Sequence, residues 1–176
     1  KPESDIAEIR REFFSAFGPA AGTIEQYFDY WETYAVDNVL NFIALFQNPF
    51  VGWRYRSYPL KAHLAFPPEV FAPARAMLEQ AQKEAAGDAH REYAERVHFV
   101  KAGFEHALLT VNLAAIFDGN SALPADRFDE GLKALQALVQ FRKKHERLFF
   151  SDLHHVTNFW ERPRWNLDPL VPLLKE

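Results

Sequence analysis

The sequence predicts an all-α fold: an up-and-down bundle of about five helices within a single domain, residues 1–176. Apolar residues recur at intervals of three and four along most of the chain, and glycine or proline stands where each repeat stops. Nearly half of the residues are apolar (48%) and none is cysteine. The core therefore depends on hydrophobic packing, without disulfides or thiolate metal sites.

The first helix is expected to begin at a Ser4 cap and to end at Gly18, with Pro19 opening the next helix. A longer apolar repeat from Ile24 to Phe46 predicts a second amphipathic helix that ends near Asn48 and Pro49. Three carboxylates fall off that repeat and are expected on its solvent side: Glu25, Asp29 and Glu32.

Three further helices are predicted after a long connection, at about 73–86, 89–117 and 124–147. Asp88 is expected to cap the second of these, which is apolar nearly all round and is therefore placed at the centre of the bundle. Basic residues close the last one and complement its dipole: Arg142, Lys143, Lys144 and Arg147. A short helix over 152–160 precedes a tail in which prolines at 163, 169 and 172 predict irregular structure.

Charge and composition exclude some functions. The net charge of −4 provides no basic face for nucleic acid. No apolar run approaches the roughly 18–20 residues of a membrane span, so none is predicted. The chain starts at Lys1 and its only methionine is Met77, so we expect a fragment whose partner is a missing N-terminal domain of the same protein.

Standard catalytic motifs are missing, and neither catalytic residues nor a cofactor is predicted. Glu95 and His98 have the spacing of a di-metal bundle ligand pair, and Asp152 and His155 repeat it. Because inward carboxylates are missing from the other helices, no metal site is predicted, and a di-metal enzyme is the weakest alternative. His98 and His106 are expected to be buried, neutral and hydrogen-bonded, in a structural role.

Two clusters of aromatic rings and guanidinium groups are the candidate ligand-binding or docking residues. They lie in the connection over 49–68 and near the C-terminus: Trp53, Arg54, Tyr55, Arg56 and Tyr58, and then Trp160, Arg162, Arg164 and Trp165. Such residues contact carbohydrate faces, dominate protein interfaces and also pack within cores. The sequence leaves these three alternatives open.

Several strings resemble the helical C-terminal region of secreted bacterial proteins similar to α-glucuronidases, which contain a domain of unknown function. The strings fall within residues 5–117 and are Phe17–Ala21, Tyr27–Glu32, Phe66–Val70, Met77–Ala81, Glu95–Phe99 and Gly103–Ala107. The resemblance implies an extracytoplasmic location and an upstream barrel that carries any glycosidase carboxylates. It implies that this chain is a non-catalytic accessory domain packed on the barrel, with carbohydrate as a possible partner. A standalone carbohydrate- or small-ligand-binding bundle is the alternative.

Overall fold

The computed structural model describes residues 5–46, 58–87, 91–148 and 152–174. These residues form eight helices and no strand, which confirms the all-α class, whereas the predicted count of about five helices is wrong. The first seven are α1 Ile6–Ser15, α2 Ala21–Asp37, α3 Val39–Phe46, α4 Tyr58–Ala65, α5 Phe71–Glu84, α6 Arg91–Phe117 and α7 Phe128–His145. The eighth, α8, joins an α-turn Leu153–His155, a π-helical segment Val156–Glu161 and an α-turn Arg162–Trp165.

The additional helices arise where sequence signals are weak. Asn38 separates α2 from α3, because Asp and Asn side chains compete for backbone hydrogen bonds and weaken a helix locally. Pro59 lies in the first turn of α4, where its missing N–H is tolerated, so a helix forms within the predicted connection. The tail is also regular, since Pro163 opens the last turn of α8 and a 3₁₀ segment follows at Asp168–Leu174.

The helix ends match the sequence prediction in part. Asp5 caps α1: its carboxylate accepts a hydrogen bond from the Ala7 N–H at 3.0 Å. α1 ends at Ser15, with Ala16 as its C-cap two residues before the predicted end at Gly18. Gly18 has a φ of +55°, and Gly119 has a φ of +78° just after α6. The predicted caps at Ser4 and Asp88, and the predicted helix end at Asn48, lie outside the described residues.

The chain divides into two compact units. Unit 1 comprises Lys1–Asp37 and Ala72–Lys101, and unit 2 comprises Asn38–Phe71 and Ala102–Glu176. The single domain over residues 1–176 stays a prediction.

Unit 1 is held together by a small aromatic and aliphatic core. Its buried side chains include Phe14, Phe17, Ile24, Leu78 and Val97. Gly18 contacts the Tyr93 ring so closely that a Cβ atom there would lie 2.5 Å from it. Thr23 donates a hydrogen bond to Glu84 at 2.7 Å, which ties α2 to α5.

Unit 2 contains the larger core. Buried apolar side chains from α6, α7 and α8 meet here, among them Leu113, Phe117, Leu138 and Trp165. Three polar side chains are buried with them: Thr110, Arg142 and Glu161. Burying a charge is costly unless it is paired, so Arg142 and Glu161 are expected to have partners within the core.

α6 is the one helix in the described part of the chain that is long and apolar enough to cross a membrane by length and composition. The central helix of a water-soluble core meets the same criterion. The expected absence of a membrane span therefore stays a prediction.

Candidate functional site

A cavity of about 470 Å³ in unit 2 is the candidate site. Its walls come from α3, α4, α6 and α8. The apolar part consists of Phe46, Ala62, Phe66, Ala107, Val111 and Val156. Five residues add polar atoms: Tyr58, His106, Thr110, Asp152 and His155. The volume lies within the range of about 300–1,000 Å³ that is common for small-molecule pockets.

A buried ion pair lies behind two of the wall residues. Arg142 of α7 donates to both carboxylate oxygens of Glu161 of α8, at 2.6 and 2.7 Å. The two side chains are 9% and 1% exposed, so the pair is shielded from water. A bidentate pair of this kind has a fixed geometry, which makes it a rigid support for its neighbours.

The wall residues Tyr58 and His106 are bonded to this pair. The Tyr58 hydroxyl donates to Glu161 Oε1 at 2.9 Å, and Arg142 Nε donates to His106 Nε2 at 3.0 Å. Arg142 also donates to the Thr157 hydroxyl at 2.9 Å. One residue of α7 and the π-helical segment of α8 thereby orient the Tyr58 phenol and the His106 imidazole at the cavity wall.

Burial, and then the neighbouring charges, determine the protonation of both wall residues. Burial, followed by the nearby Arg142 charge, lowers the pKa of His106 to about 4. The ring is therefore neutral near pH 7, and because Nε2 accepts a hydrogen bond, its proton is on Nδ1. Burial, reinforced by the Glu161 carboxylate, raises the pKa of the Tyr58 phenol, which stays protonated. The cavity wall at these two residues is polar without carrying a charge.

The remaining polar residues of the wall also take part in local structure. The Thr110 hydroxyl donates to the His106 backbone carbonyl at 2.9 Å. Asp152 caps α8 by accepting from the His155 N–H at 2.9 Å. The arrangement does not resemble a nucleophile with an adjacent base, since His106 Nε2 accepts a hydrogen bond from a guanidinium.

The first of the two predicted aromatic and guanidinium clusters is only partly described. Trp53, Arg54, Tyr55 and Arg56 lie outside the described residues. Tyr58 is described and lines the cavity. Its predicted role as a binding residue stays a prediction, now with a defined place in the structure.

The second cluster divides between core and surface. Trp165 is fully buried: its ring stacks on Phe117 with centroids 5.1 Å apart, and its indole N–H donates to the Pro59 carbonyl at 3.2 Å. It therefore packs within unit 2 and is not presented to a partner. Arg162 is exposed and paired with Asp168, and Arg164 is half-buried. For Trp160 only the backbone, within the π-helical segment, is described.

The histidine and metal predictions have separate outcomes. His106 is part-buried, neutral and hydrogen-bonded, as predicted, whereas His98 is exposed and the prediction for it is wrong. Glu95 pairs with Arg91 at 3.1 Å. Across 5–46, 58–87, 91–148 and 152–174, no group of three or more histidines and carboxylates is positioned to hold a metal.

Sequence reasoning missed the Arg142–Glu161 pair, although one signal was available. Leu135, Leu138 and Arg142 continue one buried face of α7 at intervals of three and four. A guanidinium on an apolar face indicates a buried partner. Arg142 lies in the last turn of α7 together with Lys143 and Lys144, as predicted, but its side chain is buried, whereas those of Lys143, Lys144 and Arg147 are exposed.

Comparison of the chain with protein-family models, curated proteins and solved structures finds no match. The resemblance to α-glucuronidase-like proteins stays a prediction.

Proposed function

We propose that this chain is a non-catalytic binding domain and that the unit 2 cavity takes up a small, predominantly apolar molecule. The cavity itself carries the proposal: it has the volume of a ligand pocket, largely hydrocarbon walls, and a few polar groups held in place from behind. The rings of Phe46, Phe66 and Tyr58 suit a flat or branched apolar body.

The polar groups favour a binding role over a catalytic one. Tyr58 and His106 are bonded to the Arg142–Glu161 pair, which fixes their orientation, and burial keeps both side chains uncharged near pH 7. Fixed, uncharged hydrogen-bonding groups orient a ligand and reject those of the wrong shape. A carbohydrate is less suited to this cavity, because its hydroxyls need many hydrogen-bonding partners and the walls are mostly apolar.

The resemblance to α-glucuronidase-like proteins supports a broader proposal, that the chain is an accessory domain of an extracytoplasmic, glycan-related protein. Ligand binding in the cavity is compatible with this role, but the binding proposal does not rest on it.

The proposal is tested with N-phenyl-1-naphthylamine, an uncharged apolar fluorophore whose emission rises in apolar pockets. We expect saturable one-to-one binding to the chain. Ala107→Trp introduces an indole at the cavity wall and should abolish binding. Asn112→Trp introduces the same indole at an exposed position of α6 that does not line the cavity, and should leave binding intact.

Two outcomes would contradict the proposal. One is the absence of saturable binding to the unmodified chain. The other is an equal loss of binding in the Ala107→Trp and Asn112→Trp variants, with both proteins folded by circular dichroism.

A further inference from the structure

A groove between α1 and α2 in unit 1 leaves large apolar side chains open to solvent. Ile6 is 81% exposed, Ile9 53%, Phe13 50% and Phe28 37%. Together with Trp31 they line a depression of about 570 Å³. A contiguous set of exposed large apolar residues is uncommon on a monomer and usually marks an interaction surface.

The rings in the groove are already arranged against one another. Phe13 meets Phe14 and Phe28 edge to face, with ring centroids 5.1 and 5.7 Å apart. The Arg10 guanidinium lies 5.0 Å from the Phe14 ring centroid. A preformed apolar surface of this kind loses little conformational freedom when a partner covers it.

The α2 side of the groove is acidic. Arg10 is bonded to Glu25 and Asp29 and lies 4.0 Å from Glu32. One cation thus faces three carboxylates, which leaves an excess of negative charge beside the apolar residues. Asp29 and Glu32 are the most exposed, at 50% and 72%, and remain open to a partner's cation.

We propose that this groove docks an amphipathic helix whose apolar face is flanked by lysine or arginine. Ile6, Ile9 and Phe13 span about two turns of α1, or roughly 10 Å, which matches apolar anchors at i, i+3 or i+4, and i+7 of a partner helix. The carboxylates of α2 select a partner with basic residues beside those anchors.

Other occupants fit the groove less well. Two copies of this surface facing each other would bring the same carboxylates together, which opposes self-association. The exposed apolar helix α3 of a second copy could also enter the groove, but residues 36–46 contain no Lys or Arg to pair with the carboxylates of α2. An anionic membrane surface would be repelled by the same acidic side.

The test uses two synthetic peptides of about 18 residues, enough for about five helical turns. Both carry Leu at heptad positions a and d and are blocked at both ends; one has Lys at the flanking positions and the other has Glu. By titration calorimetry we expect the full chain to bind the Lys peptide at least about tenfold more tightly than the Glu peptide. Raising the salt concentration should narrow that difference.

Variants locate the binding surface. Ile9→Ser should weaken binding of the Lys peptide, and so should Phe13→Asp if that protein remains folded. Leu64→Ser is the matched control, because Leu64 is 52% exposed on α4 and lies outside the groove. Glu32→Lys should reverse part of the preference and favour the Glu peptide.

The proposal is overturned by equal affinity for the two peptides, or by equal effects of Ile9→Ser and Leu64→Ser. It is also overturned if the chain self-associates through Ile9 and binds neither peptide, or if phosphatidylglycerol vesicles bind through Phe13 and displace the Lys peptide. None of these results bears on the unit 2 cavity, which is tested separately.

Discussion

Removing one member of the Arg142–Glu161 pair should destabilise unit 2 far more than removing both. Glu161→Leu keeps most of the side-chain volume but leaves the guanidinium buried without its carboxylate. It eliminates two hydrogen bonds of 2.6 and 2.7 Å and the acceptor of the Tyr58 hydroxyl. Breaking a buried pair in this way costs about 3–5 kcal/mol. Arg142→Met leaves the carboxylate buried and should cost a similar amount.

The double variant Arg142→Met/Glu161→Leu removes both charges. Only the uncharged Tyr58, His106 and Thr157 then lose a partner, so we expect a loss of about 1–3 kcal/mol in total. The two single losses sum to about 6–10 kcal/mol, so the coupling energy is at least about 3 kcal/mol. Urea denaturation followed by circular dichroism measures each free energy of unfolding.

The exposed pair Arg162–Asp168 is the matched control, with side chains 51% and 63% exposed. The same double-mutant cycle there should give a coupling energy below about 1 kcal/mol. The reasoning is refuted if Glu161→Leu costs less than about 1 kcal/mol. Additive losses at Arg142 and Glu161, within about 0.5 kcal/mol, would refute it as well.

Three further predictions concern single residues. The folded-state pKa of His106 is about 4, below its unfolded value, so the free energy of unfolding should fall by about 2–3 kcal/mol as pH drops from about 6.5 toward 4. Urea titrations of the His106→Gln variant should show a flatter pH dependence. Trp165→Ala should cost about 3–5 kcal/mol by thermal or urea unfolding, because the ring is fully buried. Gly18→Ala should lower the free energy of unfolding by at least about 1 kcal/mol, since φ is +55° and the Tyr93 ring leaves no room for a Cβ atom. Gly103→Ala should raise the free energy of unfolding by about 0.5–1 kcal/mol, since Gly103 lies on α6 with open space around it.

Each of these has a result that contradicts it. A pH dependence that persists in full in His106→Gln would assign the titration to another group. A Trp165→Ala variant of unchanged stability would place the indole outside the core. Equal effects of Gly18→Ala and Gly103→Ala would remove the argument from backbone conformation and close approach.

Helix content was predictable because it is a local property. The intervals of three and four that predict α1, α5, α6 and α7 follow from the pitch of the helix alone. The splitting of α2 from α3 was not predicted, since the apolar repeat continues past Asn38 and only the local competition of Asp37 and Asn38 interrupts it. α4 was missed because the prolines around it indicate a loop, whereas Pro59 is tolerated in a first turn.

The candidate site was predictable only in fragments. Tyr58 was singled out for its ring and lines the cavity, but Trp165 was singled out for the same reason and is a core residue. Residue type does not distinguish these outcomes, because Trp, Tyr and Arg serve cores and interfaces alike. Apolar periodicity is equally ambiguous. The repeat in α1 predicts buried side chains, yet Phe13 is 50% exposed and Ile6 is 81% exposed.

By itself, the sequence determined that the chain is helical and where most of its helices lie. Tertiary structure decided which of the apolar and charged residues are buried and which partners they meet. Arg142 and Glu161 are 19 residues apart. The apolar face of α7 indicates that Arg142 has a buried partner, but no local pattern identifies that partner as Glu161. The physical reason is that helix formation depends on neighbours along the chain, whereas pairing and burial depend on which helix faces pack together.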